Sequence, residues 1–126
     1  MTKPRPQATL KRLTETDRAI VTEWRFAPGA ETGWHRHAHD YVVVVLTAGK
    51  LMQETANGEI VTELAMGQSY ARNVGVEHNV VNPNPHEFAF VEVELRQLAV
   101  QVTSLRLHRG CLGRSLYSRP FVDGRY

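Results

Sequence analysis

Hydrophobic residues recur along most of this chain with a period of two. In Ile20-Val21-Thr22-Glu23-Trp24-Arg25-Phe26, the side chains of Ile20, Thr22, Trp24 and Phe26 share one side, and Val21, Glu23 and Arg25 share the other. That alternation predicts a half-buried strand, because successive strand residues point to opposite faces. Tyr41-Val42-Val43-Val44-Val45-Leu46 is a continuous, largely β-branched run and predicts a strand buried on both faces. Leu51 to Thr55 and Ile60 to Leu64 flank Asn57-Gly58, a hairpin signal. Ser69 to Arg72 and Glu77 to Val81 are short strands around Gly75. Phe88 to Leu95 is a long one, with Ala89, Val91, Val93 and Leu95 on one face. Pro28-Gly29, Ala48-Gly49, Met66-Gly67 and Asn82-Pro83-Asn84-Pro85 punctuate these runs as turns.

Roughly nine short strands at close spacing, with no amphipathic helix, predict an all-β antiparallel barrel or sandwich. Residues 1–18 read as an N-terminal arm, its first seven residues loosened by two prolines and two charges. Residues 19–97 form the barrel. Residues 98–126 are a basic tail in which Leu98 to Leu107 could add a strand; the rest has no period and reads as a strap, a subunit-swapped arm or disorder.

Composition narrows the class. The chain has 126 residues, 42% hydrophobic and 22% charged, which suits one globular domain. It lacks a run of about 18 apolar residues, so no membrane partner is expected. No signal-type apolar segment opens it, and its single cysteine, Cys111, has no internal disulfide partner; both predict a cytoplasmic protein. The net charge of +2 hides an asymmetry. Residues 1–95 hold 9 Lys and Arg against 12 Asp and Glu, whereas residues 96–126 hold six Arg against one Asp. A mildly acidic body offers no footprint for nucleic acid.

The chemistry concentrates in the segment WHRHAHD. If it is extended, His35, His37, His39 and Tyr41 face one side, and Arg36, Ala38 and Asp40 the other. Imidazoles two residues apart on a strand stand roughly 6–7 Å apart, a gap that nitrogens about 2.0–2.1 Å from one ion can bridge. A third ligand must come from another strand, and His78 is the best placed. A surface pair of histidines remains the alternative from these residues alone.

Gly29-AETGW-His35-Arg36-His37 and Gly67-QSYAR-Asn73-Val74-Gly75-VE-His78-NVV-Asn82 resemble the two conserved motifs of the cupin family, in order and with a hairpin between them. Asn73 stands where the second motif has proline. The resemblance covers about residues 19–95 and implies a double-stranded β-helix, or jelly-roll barrel. It also implies metal ligation by His35, His37 and His78. The family's usual glutamate ligand does not carry over: its slot in the first motif holds Tyr41 or Val42. A three-histidine site would take Fe(II), Ni(II), Cu(II), Zn(II) or Mn(II), with open positions for water or substrate; the missing glutamate could instead mark a barrel without metal.

Around that site, Tyr41 is a candidate acid/base or fourth ligand, or a packed tyrosine. His39 is a candidate proton carrier or ligand, or a rim residue. Arg72 could clamp a substrate carboxylate beside Tyr70, or form an outward salt bridge. Trp24 and Trp34 read as barrel packing, Glu92 and Glu94 as a solvated face, and His86 and His108 as surface residues. The resemblance implies a small-molecule ligand, a homodimer, and either a metal-dependent enzyme or a non-catalytic binding cupin. For the enzyme, a dioxygenase is expected ahead of a lyase of the kind that removes a β-proton from dimethylsulfoniopropionate.

Overall fold

The structure, a computed structural model, describes residues 3–97. Nine strands run through them: β1 (Thr9–Glu15), β2 (Ala19–Phe26), β3 (His35–Arg36), β4 (Asp40–Val45), β5 (Gly49–Thr55), β6 (Gly58–Leu64), β7 (Ser69–Arg72), β8 (Glu77–Val81) and β9 (Phe88–Leu95). Five form one sheet in the order β1-β2-β9-β4-β7, and four form a second in the order β3-β8-β5-β6. All strand pairings are antiparallel. Neighbours in each sheet are mostly distant in sequence, as in the expected double-stranded β-helix. The call of an added strand at Leu98 to Leu107 lies outside the described residues.

The core fills the space between the sheets. Phe26, Phe88, Phe90, Val43, Val45, Leu51 and Val80 are buried there, and Phe26 stacks on Phe90 at 5.5 Å between ring centroids. On β2 the inner face is the one that alternation predicts, with Ile20, Thr22 and Phe26 buried.

Three elements differ from expectation. Strand β4 is buried on one face only: Tyr41, Val43 and Val45 point inward, while Val42 and Val44 are half-covered. A run of β-branched residues satisfies strand propensity on either face, so it does not report two-sided burial. Strand β9 turns the other way. Phe88, Phe90 and Glu92 are buried, and Leu95 is 44% exposed. Both faces of this strand are rich in apolar residues, so alternation alone does not select the inner one.

The third difference is the N-terminal arm. Thr9–Glu15 is a strand that pairs with the chain's own β2, from Thr9 opposite Arg25 to Glu15 opposite Ile20. Ahead of it, the Glu31 N–H donates to the Pro6 carbonyl and the Ala8 N–H to the Glu31 carbonyl, both within 2.9 Å. Composition suggested a loose segment; main-chain hydrogen bonding to Glu31 straps it down.

Two corners hold the sheets in place. Asn82 is fully buried, and its Nδ2 donates to the carbonyls of Phe26, Ala27 and His86. Gly49 lies against the side chain of Asn84, where an added Cβ would stand 2.9 Å from Oδ1, so only glycine fits without displacement.

Candidate metal centre

The two sequence motifs meet across one sheet. His35 on β3 is directly opposite His78 on β8 in the antiparallel register. His37 lies just beyond β3. Its backbone N–H donates to the Val76 carbonyl at 2.8 Å, and its carbonyl accepts from the Gly75 N–H at 2.9 Å. Gly75 has a φ of 98°, which a side-chain-bearing residue rarely adopts. The tight turn of the second motif thus holds the second histidine of the first.

The three Nε2 atoms converge. His37 Nε2 is 3.1 Å from both His35 Nε2 and His78 Nε2. The three ligand atoms lie within 4.8 Å of one another. Nitrogens about 2.0–2.1 Å from one ion, subtending angles between 90° and 109°, stand roughly 2.9–3.4 Å apart, so the spacing fits a shared ion. The flanking contacts fit as well. His35 Nδ1 donates to the Gly33 carbonyl at 2.8 Å, and His78 Nδ1 donates to Gln53 Oε1 at 2.8 Å. A proton held on Nδ1 leaves the Nε2 lone pair free and fixes the ring orientation. Burial and the neighbouring imidazoles push His37 down to about 4; burial, then His35 and Arg72, push His78 down to about 4. Both rings are therefore neutral at pH 7, the state that ligates. The three histidines can hold a metal ion.

Tyr41 on β4 lies against this cluster. Its ring stacks on His37 with centroids 3.9 Å apart and planes 18° from parallel. Burial raises the pKa of its phenol, so it keeps its proton at neutral pH. A cavity of ≈ 340 Å³ opens beside the histidines. Val43, Leu51, Val80 and Phe90 form its apolar side, and Trp24, Tyr41, Tyr70 and Glu92 its polar side.

The remaining candidates separate. His39 borders the cavity but stands outside the group of converging nitrogens. The chain bends at Ala38 and His39 as it passes from β3 in one sheet to β4 in the other, which breaks the alternation that would align His39 with its neighbours. Tyr70 contributes to the wall, with its phenol pushed up to about 12 by burial. Arg72 is exposed, lies 4.6 Å over the Tyr70 ring, and borders a neighbouring recess instead. Trp24 packs against the core, but Trp34 is 56% exposed and does not pack in the barrel. His86 is exposed, as expected, and His108 lies outside the described residues.

Sequence reasoning missed two residues. Gln53, the partner of His78, shares the inward face of β5 with Leu51, and that parity was the available signal. Glu92 was expected on a solvated face; it is 8% exposed and borders the cavity, as does the half-buried Glu94. The pairing of β9 between β2 and β4 sets its inward parity, placing Glu92 opposite Thr22 and Val43. Burial and the nearby Glu94 push the Glu92 carboxyl up to about 7.

A double-stranded β-helix with histidines from two sequence motifs converging at one mouth defines a metal-site barrel. The model of the cupin domain matches residues 22–94, and the chain belongs to the cupin family. It is 56% identical, over 73% of its length and 97% of the relative's, to the β-alanine degradation protein BauB of Pseudomonas aeruginosa. A solved cupin domain from Bordetella pertussis is 51% identical and matches 76% of this chain and all of that one, with a TM-score of 0.74. A conserved double-stranded β-helix protein from Klebsiella pneumoniae is 28% identical over 79% of this chain and 81% of its own, with a TM-score of 0.61. Among the described residues, no helix is long and apolar enough to cross a membrane.

Proposed function

We propose that this protein is a metal-dependent, dioxygenase-like cupin acting on a small organic molecule, in the kind of metabolic setting named for its Pseudomonas relative, the breakdown of a short amino acid. The single observation that carries the reading is the convergence of three imidazole nitrogens, 3.1 Å apart in two pairs, beside a cavity of small-molecule size. His35, His37 and His78 would hold a divalent transition metal, which would supply Lewis-acid or O₂-activating chemistry there.

The chain's own residues do the rest. Gln53 and the Gly33 carbonyl orient two of the rings. Tyr41 presents a protonated phenol to the space beside His37 and acts as a hydrogen-bond or proton donor. A lyase in which Tyr41 takes a proton draws less support, because burial disfavours the phenolate. Val43, Leu51 and Phe90 exclude water from the inner end of the cavity. A homodimer in the cytoplasm belongs to the same reading. The exposed edge strand β1, with Leu10 and Leu13 uncovered, supports pairing with a second copy.

Metal analysis of protein purified without chelator or nickel resin tests the core of the proposal. Near-stoichiometric iron, nickel, zinc, manganese or copper is expected, together with O₂ uptake when a short amino or keto acid is added to the iron form. Protein without metal, and with no thermal shift on adding Fe(II), Ni(II) or Zn(II), would leave a non-catalytic binding cupin.

A further inference from the structure

The carboxylate of Glu92 has no counterpart in the mechanism so far. It is more than nine-tenths buried and lies on the wall of the cavity that the three histidines share. Among the described residues it forms no ion pair, and the Trp24 indole N–H on the same wall is turned toward it as a donor. Around it stand Thr22 and Trp24 on β2, Val43 and Tyr41 on β4, Tyr70 on β7 and Glu94 on its own strand. None of these is a cation; Arg36 lines the same cavity but pairs with Glu77, and Arg72 lies over the Tyr70 ring, and neither forms an ion pair with Glu92. The buried Trp24 indole N–H is a weak, poorly aligned donor to that carboxyl, outside full hydrogen-bonding geometry. Its influence on Glu92 is the weakest of the three that act on that carboxyl.

Native interiors rarely bury a carboxylate with no cation and only one weak donor, and each exception calls for a reason. Replacement by a neutral residue would be easy at a purely structural position, since the neighbours Phe90 and Val43 are apolar. A wall that keeps Glu92 and Glu94 side by side with no cation between them is shaped for a cation that arrives with the ligand.

We propose that the cavity binds a small primary amine, with its ammonium group seated on Glu92 and its carbon chain directed along Phe90 and Tyr70 toward the three histidines. This rests on the reading of the cavity as a substrate site and names the class of substrate. An alkylammonium keeps its proton at neutral pH, with a pKa of about 10 like that of lysine. It supplies a positive charge and three donors to a carboxylate that has no cationic partner. At a pH below that of half-protonation of Glu92, binding expels the carboxyl proton to the buffer. The same ammonium relieves the repulsion between Glu92 and Glu94. Tyr70 and Tyr41 remain protonated throughout and do not compete for the charge.

Fluorescence and calorimetry test this together. Trp34→Phe removes the exposed indole and leaves Trp24, on the cavity wall, as the only tryptophan. In that background, n-propylamine, 3-aminopropanoate and propanoate are titrated into metal-free and zinc-loaded protein. Both amines should quench Trp24 and bind the metal-free form at least about tenfold more tightly than propanoate, the scale of a charged hydrogen bond. Glu92→Gln should weaken n-propylamine at least about tenfold while leaving zinc affinity unchanged, and Glu92→Asp should restore part of the binding. Calorimetry at pH 6 in buffers of different ionisation enthalpy should show proton release on amine binding, absent in Glu92→Gln. Loss of less than tenfold in Glu92→Gln overturns the proposal, as does propanoate binding the metal-free protein as well as the amine. Because zinc binding is read separately, a chain that takes amines but no metal sinks the metal-enzyme reading and leaves the ammonium seat standing.

Discussion

Two glutamates of this barrel, Glu54 and Glu92, occupy opposite situations. Glu54 on β5 lies on the outer side of the second sheet. Arg5 grips both its oxygens at 2.9 and 3.1 Å, and Asn79 Nδ2 donates to it at 2.8 Å. Asn79 also donates to Glu31, and its Oδ1 accepts from the Gly33 N–H at 2.9 Å. Those bonds hold the Glu54 carboxyl below its ordinary range, first through Arg5 and then through Asn79. Glu92 is buried on the inner side with no such partner, and its carboxyl moves up instead. The difference teaches that partners, not burial alone, separate a structural carboxylate from one left available. The outer cluster ties the N-terminal strap to the sheet. The inner wall is left open, next to the histidines.

Strand β8 joins the two situations. His78 points inward to the cluster, and Asn79, the next residue, points outward to the closed network. Neighbouring positions on one strand thus support chemistry on one side and rigidity on the other.

The largest expected effect comes from the inner side. His78→Ala should lower zinc affinity by more than about 100-fold, beyond the loss seen when an outer-shell partner is removed. Competition with a fluorescent chelator measures it. The metal-free protein should remain folded, which separates the site from the scaffold; a collapse of the metal-free fold would erase the contrast with Asn79.

Next is the pH dependence of stability. The folded-state pKa of Glu92 is raised to about 7, so the folded chain holds this proton where the unfolded chain has lost it. Stability from this group is present below the unfolded pKa of about 4.5 and is lost as pH rises through about 7. The loss is at most about 3 kcal/mol at pH 8, at about 1.36 kcal/mol per pKa unit. Metal-free Glu92→Gln, compared with the parent by urea unfolding at pH 5 and pH 8, should lack that decline. Equal slopes for the two proteins would show that Glu92 has a partner after all.

The outer network should respond with no pH signature of that kind. Asn79→Ala breaks three good hydrogen bonds and strands the half-buried Gly33 N–H, which should cost about 2 kcal/mol in urea unfolding with an unchanged m-value. Arg5→Met is the mildest change. Its side chain is 36% exposed, so the loss should stay within about 1 kcal/mol. If Arg5→Met matched the loss in Asn79→Ala, the ion pairs would carry the network and the asparagine would be secondary.

Much of this architecture was legible before any coordinates. Strand positions followed from alternation and turn residues, and the order of the two motifs placed His35, His37 and His78 at one point. Such features are local: a strand's period, a glycine at a turn and the spacing of two histidines are written in consecutive residues. Only the tertiary structure decided the polarity of β9, the one-sided burial of β4, the bend that sets His39 apart and the docking of residues 5–15. A period of two names two faces but not which of them is inner. When both carry apolar residues, as on β9, the choice falls to the strands on either side, and with it the presence of Glu92 in the cavity.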